Sequence, residues 1–335
     1  MSDLAKELMK AFSDAAKTKN QKTVYFDTGY APLNKIVSGS YDRGLPSGRI
    51  TEISGASQSG KTLIAVEIAI QGQKMGGAVL YIDYERRFNI EFAEARGLNP
   101  NPPHFFWVKG TTWEQGVSYT RKWSQIMRKS ADFPMDVPLL VVIDSVAAAI
   151  AESRMDDQKL ENTSHSMKDH LALPSAISQT ISQFNQNGDD YAVTTLMLNQ
   201  IRENPGAYGS PNVIPGGRSI GFYADVRIEL TKAQDKEGAD IVGQIVSAKA
   251  TKCPTTPNGK TRWVLKFLPN GMTVLDHEVS LVEYAIEMGV ITSPSKGYYN
   301  WDNLKLRKKE IIARVKDENK TDFLVEHIRN GEVIQ

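Results

Sequence analysis

The chain has 335 residues, 41% apolar and 24% charged, with 40 Lys and Arg against 39 Asp and Glu for a net charge of +1. This describes a globular protein with one large core and a lesser appendage, and it excludes a global electrostatic signature for nucleic acid, so any such contact must rest on local patches. The single cysteine, Cys253, excludes intrachain disulfides and a four-cysteine zinc site, and without an apolar run near the ~20 residues of a membrane span the expectation is a cytoplasmic protein with no membrane partner.

Residues 3–18 place Leu4, Leu8, Met9, Phe12 and Ala16 on one face at helical spacing, which predicts an amphipathic helix. A short strand follows, Lys22-Thr23-Val24-Tyr25-Phe26, and the two either pack on their own domain or reach a neighbouring subunit. Leu45-Pro46-Ser47-Gly48-Arg49 is a turn that launches the first core strand. That strand runs into Gly55-Ala56-Ser57-Gln58-Ser59-Gly60-Lys61-Thr62, and the aliphatic stretch from Leu63 to Ile70 continues as a helix. The glycines let successive backbone N–H groups turn inward and, with the helix N-terminus, form an anion cradle. Lys61 then reaches the β- and γ-phosphates of a nucleoside triphosphate, and the Thr62 hydroxyl ligates Mg2+.

Residues 78–83 form a second buried strand, and Glu85 lies just past its C-terminal end, where open parallel sheets place their ligands. A carboxylate there either activates water or is a solvated loop residue. Helix is predicted over residues 90–96, strand over 105–108, and a long helix over 112–130 whose Trp113 and Trp123 read as core. The aliphatic run Pro138-Leu139-Leu140-Val141-Val142-Ile143-Asp144-Ser145 is a strand buried on both faces and ending in an acid suited to supporting the metal beside Thr62. Residues 152–166 carry charge without apolar period and predict a mobile loop; helix resumes over 174–184. A further strand over 191–198 ends at Asn199-Gln200, where an amide either senses the γ-phosphate or merely caps the strand. Residues 203–218 form a second long loop, rich in Gly and Pro.

Strands over 226–230, 244–250 and 262–268, the first two joined by a charged turn over 233–240, predict an antiparallel extension of the sheet. Beyond Asn270-Gly271 a small C-terminal lobe is expected. In it Lys305-Leu306-Arg307-Lys308-Lys309 stands beside Tyr298, Tyr299 and Trp301, either as a nucleic-acid surface or as a solvated helix face.

In order and spacing these motifs resemble the bacterial RecA recombinases and their phage relatives of the UvsX type, over roughly residues 30–280. The landmarks are Gly44-Leu45-Pro46-Ser47-Gly48-Arg49-Ile50, the loop from Gly55 to Thr62, Tyr81-Ile82-Asp83-Tyr84-Glu85, and Val142-Ile143-Asp144-Ser145-Val146-Ala147-Ala148. Asn199-Gln200-Ile201-Arg202 and Gly216-Gly217 followed by Gly221-Phe222-Tyr223-Ala224-Asp225-Val226-Arg227 complete them. The resemblance implies an α/β fold: a RecA-like phosphate-loop ATPase core with a mostly parallel central sheet (residues 34–270) and a small α+β C-terminal lobe (271–335). It also implies that the short N-terminal helix-strand arm (1–33) packs on the adjacent protomer and drives filament growth.

Carried over by residue, the resemblance implies ATP and Mg2+ at Gly55, Ser57, Gln58, Ser59, Gly60, Lys61, Thr62 and Leu63, with Thr62 on the metal and Asp144 supporting it through water. Glu85 is the implied general base, and Gln200 couples the γ-phosphate to the second DNA loop. Asn89 and Phe92 match positions near the adenine, where bacterial members usually have Asp and Tyr. Residues 152–166, with Arg154 and His165, correspond to the first DNA-binding loop. Residues 202–218, with Arg202, Tyr208, Gly216, Gly217 and Arg218, correspond to the second, where Tyr208 would stack on bases. The family's two lysines that reach the neighbour's ATP are separated by one residue, whereas the nearest candidates here, Lys249 and Lys252, have two between them. The chain ends at Gly331-Glu332-Val333-Ile334-Gln335 without the long acidic tail of many members, so autoinhibition by such a tail is not expected.

The expected function is DNA-stimulated ATP hydrolysis by a helical filament on single-stranded DNA that pairs with double-stranded DNA and exchanges strands. The alternatives are a hexameric helicase or repair ATPase of the same fold, a DNA-binding scaffold without turnover, and a metabolic kinase.

Overall fold

The computed structural model describes residues 24–155, 167–203, 212–213, 215–257 and 259–334. The expected N-terminal helix, His165 and Tyr208 lie outside the described residues.

The chain enters through β1 (Tyr25–Phe26), α1 (Ala31–Ser38) and β2 (Leu45–Pro46), and β1 pairs antiparallel with β2. Phe26, Tyr30 and Leu33 are fully buried. Asn34 ties the segment together: its Oδ1 accepts from the Thr28 hydroxyl (2.7 Å) and N–H (3.0 Å), while its Nδ2 donates to Asp27 (2.8 Å) and the Tyr41 carbonyl (2.9 Å). Of the expected arm's strand, the described residues Tyr25 and Phe26 pair with β2, and Phe26 packs into the core of its own chain.

The chain continues through β3 (Ile50–Gly55), α2 (Lys61–Lys74), β4 (Ala78–Asp83), α3 (Ile90–Glu94), β5 (Phe105–Lys109), α4 (Trp113–Met127) and β6 (Leu139–Asp144). Next come α5 (Met167–Thr180), α6 (Ser182–Tyr191), β7 (Val193–Gln200) and the paired β8 (Arg202–Glu203) and β9 (Asn212–Val213). Then follow α7 (Ser219–Tyr223), β10 (Val226–Glu237), β11 (Asp240–Lys252), β12 (Lys260–Phe267), β13 (Thr273–Asp276) and α8 (His277–Glu287). Nine of these strands make one sheet in the order β13-β12-β11-β10-β3-β7-β6-β4-β5. From β10 to β5 all neighbours are parallel, and β11 to β13 are antiparallel.

Alternation sorts the two faces. Val79, Tyr81, Leu140, Val142, Leu196 and Leu198 face the core that contains α2 and α8, whereas Leu80, Ile82, Val141, Ile143 and Met197 face the core that contains Trp113, Val117, Ile177 and Phe184. The parallel register puts Asp83 opposite Asp144, and Gly55 opposite Gln200, so the chemistry-bearing strand ends lie at one edge of the sheet.

Two expectations change, and the C-terminal region shows where its packing lies. α5 begins at Met167 and carries Pro174 inside it, so the helix starts well before residue 174. The hairpin of β10 and β11 is a long ribbon: its charged residues 233–240 continue the ladder and only Gly238 and Ala239 turn, since exposed strands carry charge as readily as turns do. Finally, the part beyond residue 270 shares the main core. β13 pairs with β12, Ser280 Oγ accepts from the Val264 N–H (2.9 Å), and Leu281, Ala285, Trp301, Ile311, Val315 and Leu324 are fully buried in the same cluster as Tyr30 and Trp263. This region adds the hairpin β14 (Tyr299–Trp301) and β15 (Leu304–Leu306), then α9 (Lys308–Asp317) and α10 (Thr321–Asn330). Three residues of its basic run are engaged within the chain: Lys308 with Glu283 (2.7 Å), Lys309 with Glu237 (3.1 Å), and Arg307 over the Tyr298 ring.

Candidate nucleotide site

The loop between β3 and α2 is shaped by close approach. A Cβ on Gly55 would stand 2.5 Å from Ser59 Oγ and 2.7 Å from the Leu230 carbonyl, and Gly60 adopts φ 87°, which favours glycine. The ribbon braces the loop from outside: Lys232 Nζ donates to the Ser57 carbonyl (2.9 Å) and Gln244 Nε2 to the Gln58 carbonyl (3.1 Å). Lys61 Nζ folds back onto the carbonyls of Gly55 (2.9 Å) and Ala56 (2.7 Å), and burial lowers its pKa against the opposing pull of Asp144 and Glu85. Ser59 Oγ is buried without a partner, and Leu63 packs into the core.

Behind the loop, Asp144 Oδ2 accepts from Thr62 Oγ1 (2.9 Å) and from the Tyr81 hydroxyl (2.6 Å). Burial pushes the Asp144 carboxyl up to about 6, while these two donors and the neighbouring charges modulate it. Burial also raises the Tyr81 phenol, so it remains a donor. Tyr84 and Glu85 N–H groups donate to the Asp144 carbonyl (2.7 and 3.3 Å), and the Asp83 carboxylate accepts from Phe88 N–H (3.0 Å), which bends the chain after β4. The bend delivers Glu85, whose Oε1 accepts from Ser145 Oγ and from Gln200 Nε2, both at 2.5 Å.

Residues 57–63, Glu85, Asp144 and Gln200 together line a cavity of about 190 Å3. A second cavity, about 360 Å3, shares Ser57, Glu85 and Gln200 and extends to Arg87. The site suits the groups expected there. An orphaned buried hydroxyl and a lysine turned onto its own backbone await an anion, and a hydroxyl 2.9 Å from a carboxylate oxygen is the hard donor set that Mg2+ prefers.

Asn89 and Phe92 do not line either cavity. Asn89 caps α3, its Oδ1 accepting from Phe92 N–H (2.9 Å), and Phe92 lies under the Arg96 guanidinium, which binds Glu67 of α2 (2.9 Å). Lys249 and Lys252 likewise stand away from the phosphate loop of their own chain. Lys249 lines a separate groove of about 470 Å3 with Lys260 and Arg262, and Lys252 Nζ donates to the Phe222 carbonyl (2.8 Å). Their spacing is resolved by a β-bulge. Ala250 pairs with Ile228 and Lys252 with Arg227, so Thr251 is the extra residue and both lysines stand on the face of Glu229 and Arg227.

Of the DNA-loop residues, Arg154 is exposed at the end of a single 3-10 turn, Glu152–Arg154, and Arg218 is exposed at the start of α7. Arg202 lies in β8. Gly216 (φ 93°) and Gly217 (φ 75°) make the backbone turn into α7, with Gly216 packed on Ile220 and Gly217 facing Pro174. Residues that sequence reading passed over are Tyr81 and Ser145, which hold Asp144 and Glu85. Their signals were a phenol inside an aliphatic strand and a hydroxyl directly after the strand-end acid.

A sequence profile of the RecA N-terminal domain matches residues 6–268. The chain is 31% identical to the protein named Protein RecA of Heliobacterium modesticaldum, over 78% of this chain and 70% of that one. It is 31% identical to that of Chlorobaculum tepidum (83% and 75% covered) and 30% identical to that of Enterococcus faecalis (85% and 74%). With the phosphate loop, the acid-ended strand and the nine-stranded sheet in that order, the chain belongs to the RecA family.

Proposed function

We propose that this chain is an ATP-dependent recombination protein that forms helical filaments on single-stranded DNA, pairs them with homologous double-stranded DNA and exchanges strands. The observation that carries this reading is one contact. Gln200, last residue of the strand that leads into the second loop, donates to Glu85 in the phosphate cavity at 2.5 Å. A nucleotide-facing carboxylate and a loop-bearing strand are thereby joined.

In hydrolysis Lys61 exchanges its loop carbonyls for the β- and γ-phosphates, while Thr62 and Asp144 offer oxygens to the metal. Mg2+ held there would supply positive charge that offsets the charge of the phosphates. Glu85 takes the proton of the attacking water, and Ser145 orients it. Gln200, drawn toward the γ-phosphate, leaves Glu85 and orders the second loop, so that ATP acts as a switch for the DNA grip. Arg154, His165, Arg202 and Arg218 contact phosphates, Tyr208 stacks on bases, and Lys249 and Lys252 approach the ATP of the adjoining protomer.

The test is ATP hydrolysis with and without single-stranded DNA. Wild-type hydrolysis rises with DNA, Lys61→Ala loses nucleotide binding, and Glu85→Ala binds nucleotide while turnover drops by about 10²-fold or more. A wild-type rate indifferent to DNA rejects the recombinase reading.

A further inference from the structure

Glu52 is a buried carboxylate outside the phosphate cavity. It sits in β3 on the face away from α2 and is 1% exposed. Both of its oxygens are used: Oε2 accepts from Arg227 Nε (2.7 Å) and Oε1 from Asn199 Nδ2 (3.1 Å). The same Asn199 nitrogen donates its other hydrogen to the Pro215 carbonyl (2.9 Å), and Asn199 Oδ1 accepts from the Gln200 N–H (3.0 Å). Asn199 is itself fully buried. On the other side, the Arg227 guanidinium lies against α7, where a Cβ on Gly221 would stand 3.0 Å from Nη1. Three separate pieces therefore meet at one carboxylate: the end of β7 that presents Gln200, the stem of the second loop at Pro215, and α7.

Buried amides and carboxylates do not give up partners cheaply, and every polar atom of Asn199 is occupied. The end of β7 cannot shift without carrying Pro215 along or breaking a bond of a fully buried amide. We propose that Glu52, Asn199 and Arg227 form a positioning cluster that makes the second loop and α7 follow Gln200 when nucleotide fills the cavity. None of the three touches the nucleotide site itself, since neither of its cavities is lined by them. The DNA consequence rests on the recombinase reading above; the link from nucleotide to loop rests only on its nucleotide site, through Gln200.

The experiment uses the full chain and two variants. The double variant Glu52→Gln with Arg227→Gln leaves no unpaired buried charge, and Asn199→Ser keeps the Glu52–Arg227 pair but is too short to bridge it to Pro215. Hydrogen exchange over residues 215–223 is followed with and without a non-hydrolysable ATP analogue, beside nucleotide affinity, DNA-free hydrolysis, its stimulation by single-stranded DNA, and the thermal midpoint. In the wild type the analogue changes exchange in this segment. In both variants that change is lost and DNA stimulation falls about tenfold, while nucleotide affinity and DNA-free hydrolysis stay within about twofold. A merely structural role would lower the thermal midpoint and leave the nucleotide-dependent exchange in place, and that result overturns the proposal, as does a wild type whose exchange ignores nucleotide. If one variant does not fold, the other decides on the same criterion. Should wild-type exchange respond to nucleotide and both variants lose that response while hydrolysis ignores DNA, the recombinase reading falls and the cluster stands.

Discussion

Asp144 shows how a single side chain is tuned for two states. Its carboxyl is buried yet accepts two hydroxyl bonds, and the balance leaves it at about 6, above the ordinary 3.8. A raised carboxylate binds its proton more tightly in the folded than in the unfolded chain. Its contribution to stability is therefore full below about pH 4 and is lost as pH rises through about 6, a change of about 3 kcal/mol. Urea midpoints of the Mg2+-free protein between pH 4 and 7 should show this slope, and Asp144→Asn should remove it relative to wild type. Tyr81→Phe withdraws one donor from the same buried oxygen and should destabilise the chain by about 1–3 kcal/mol in the same measurement near pH 7. Thr62, Glu85 and Asp144 were legible in the sequence because strand ends and a glycine loop announce them. Tyr81 and Ser145 were not, because a hydroxyl inside an apolar run shows its partner only after two strands are laid side by side.

At the scale of elements, two close contacts decide more than propensity does. Gly188 in α6 packs so tightly on the turn before β3 that a Cβ would fall 2.1 Å from the Gly48 carbonyl. Gly188→Ala should cost about 1–3 kcal/mol by urea denaturation, although alanine is the better helix former. The second contact is the bulge at Thr251, which turns a spacing of three residues into a common face for Lys249 and Lys252. If these lysines serve the adjoining protomer, Lys249→Ala and Lys252→Ala should leave nucleotide affinity unchanged. DNA-stimulated hydrolysis should fall about tenfold or more, and mixing either variant with Glu85→Ala should restore part of the rate, since each subunit then supplies what the other lacks. Sequence spacing alone did not put these lysines on one face; a one-residue insertion in a ladder is invisible until its partner strand is known.

For the whole molecule, the nine-stranded sheet is covered on the α2 face by a core that runs without a break from Tyr30 through Trp263 to Trp301 and Ile328. Truncation after Asn270 would strip Leu281, Trp301, Ile311 and Leu324 from that core. The shortened chain should aggregate or lose its cooperative thermal transition, followed by circular dichroism and size-exclusion chromatography. A detachable C-terminal lobe would instead leave the remainder folded. Local pattern alone revealed the phosphate loop, the buried parallel strands and the acid at the end of β6, because glycine geometry, two-sided burial and strand-end chemistry are written in consecutive residues. Which strands lie side by side, which charges are spent on internal pairs, and how Glu52 comes to join Asn199, Arg227 and Pro215 were settled only by the tertiary structure. Those partners are up to 175 residues apart in the chain, and nothing but the folded sheet brings them together.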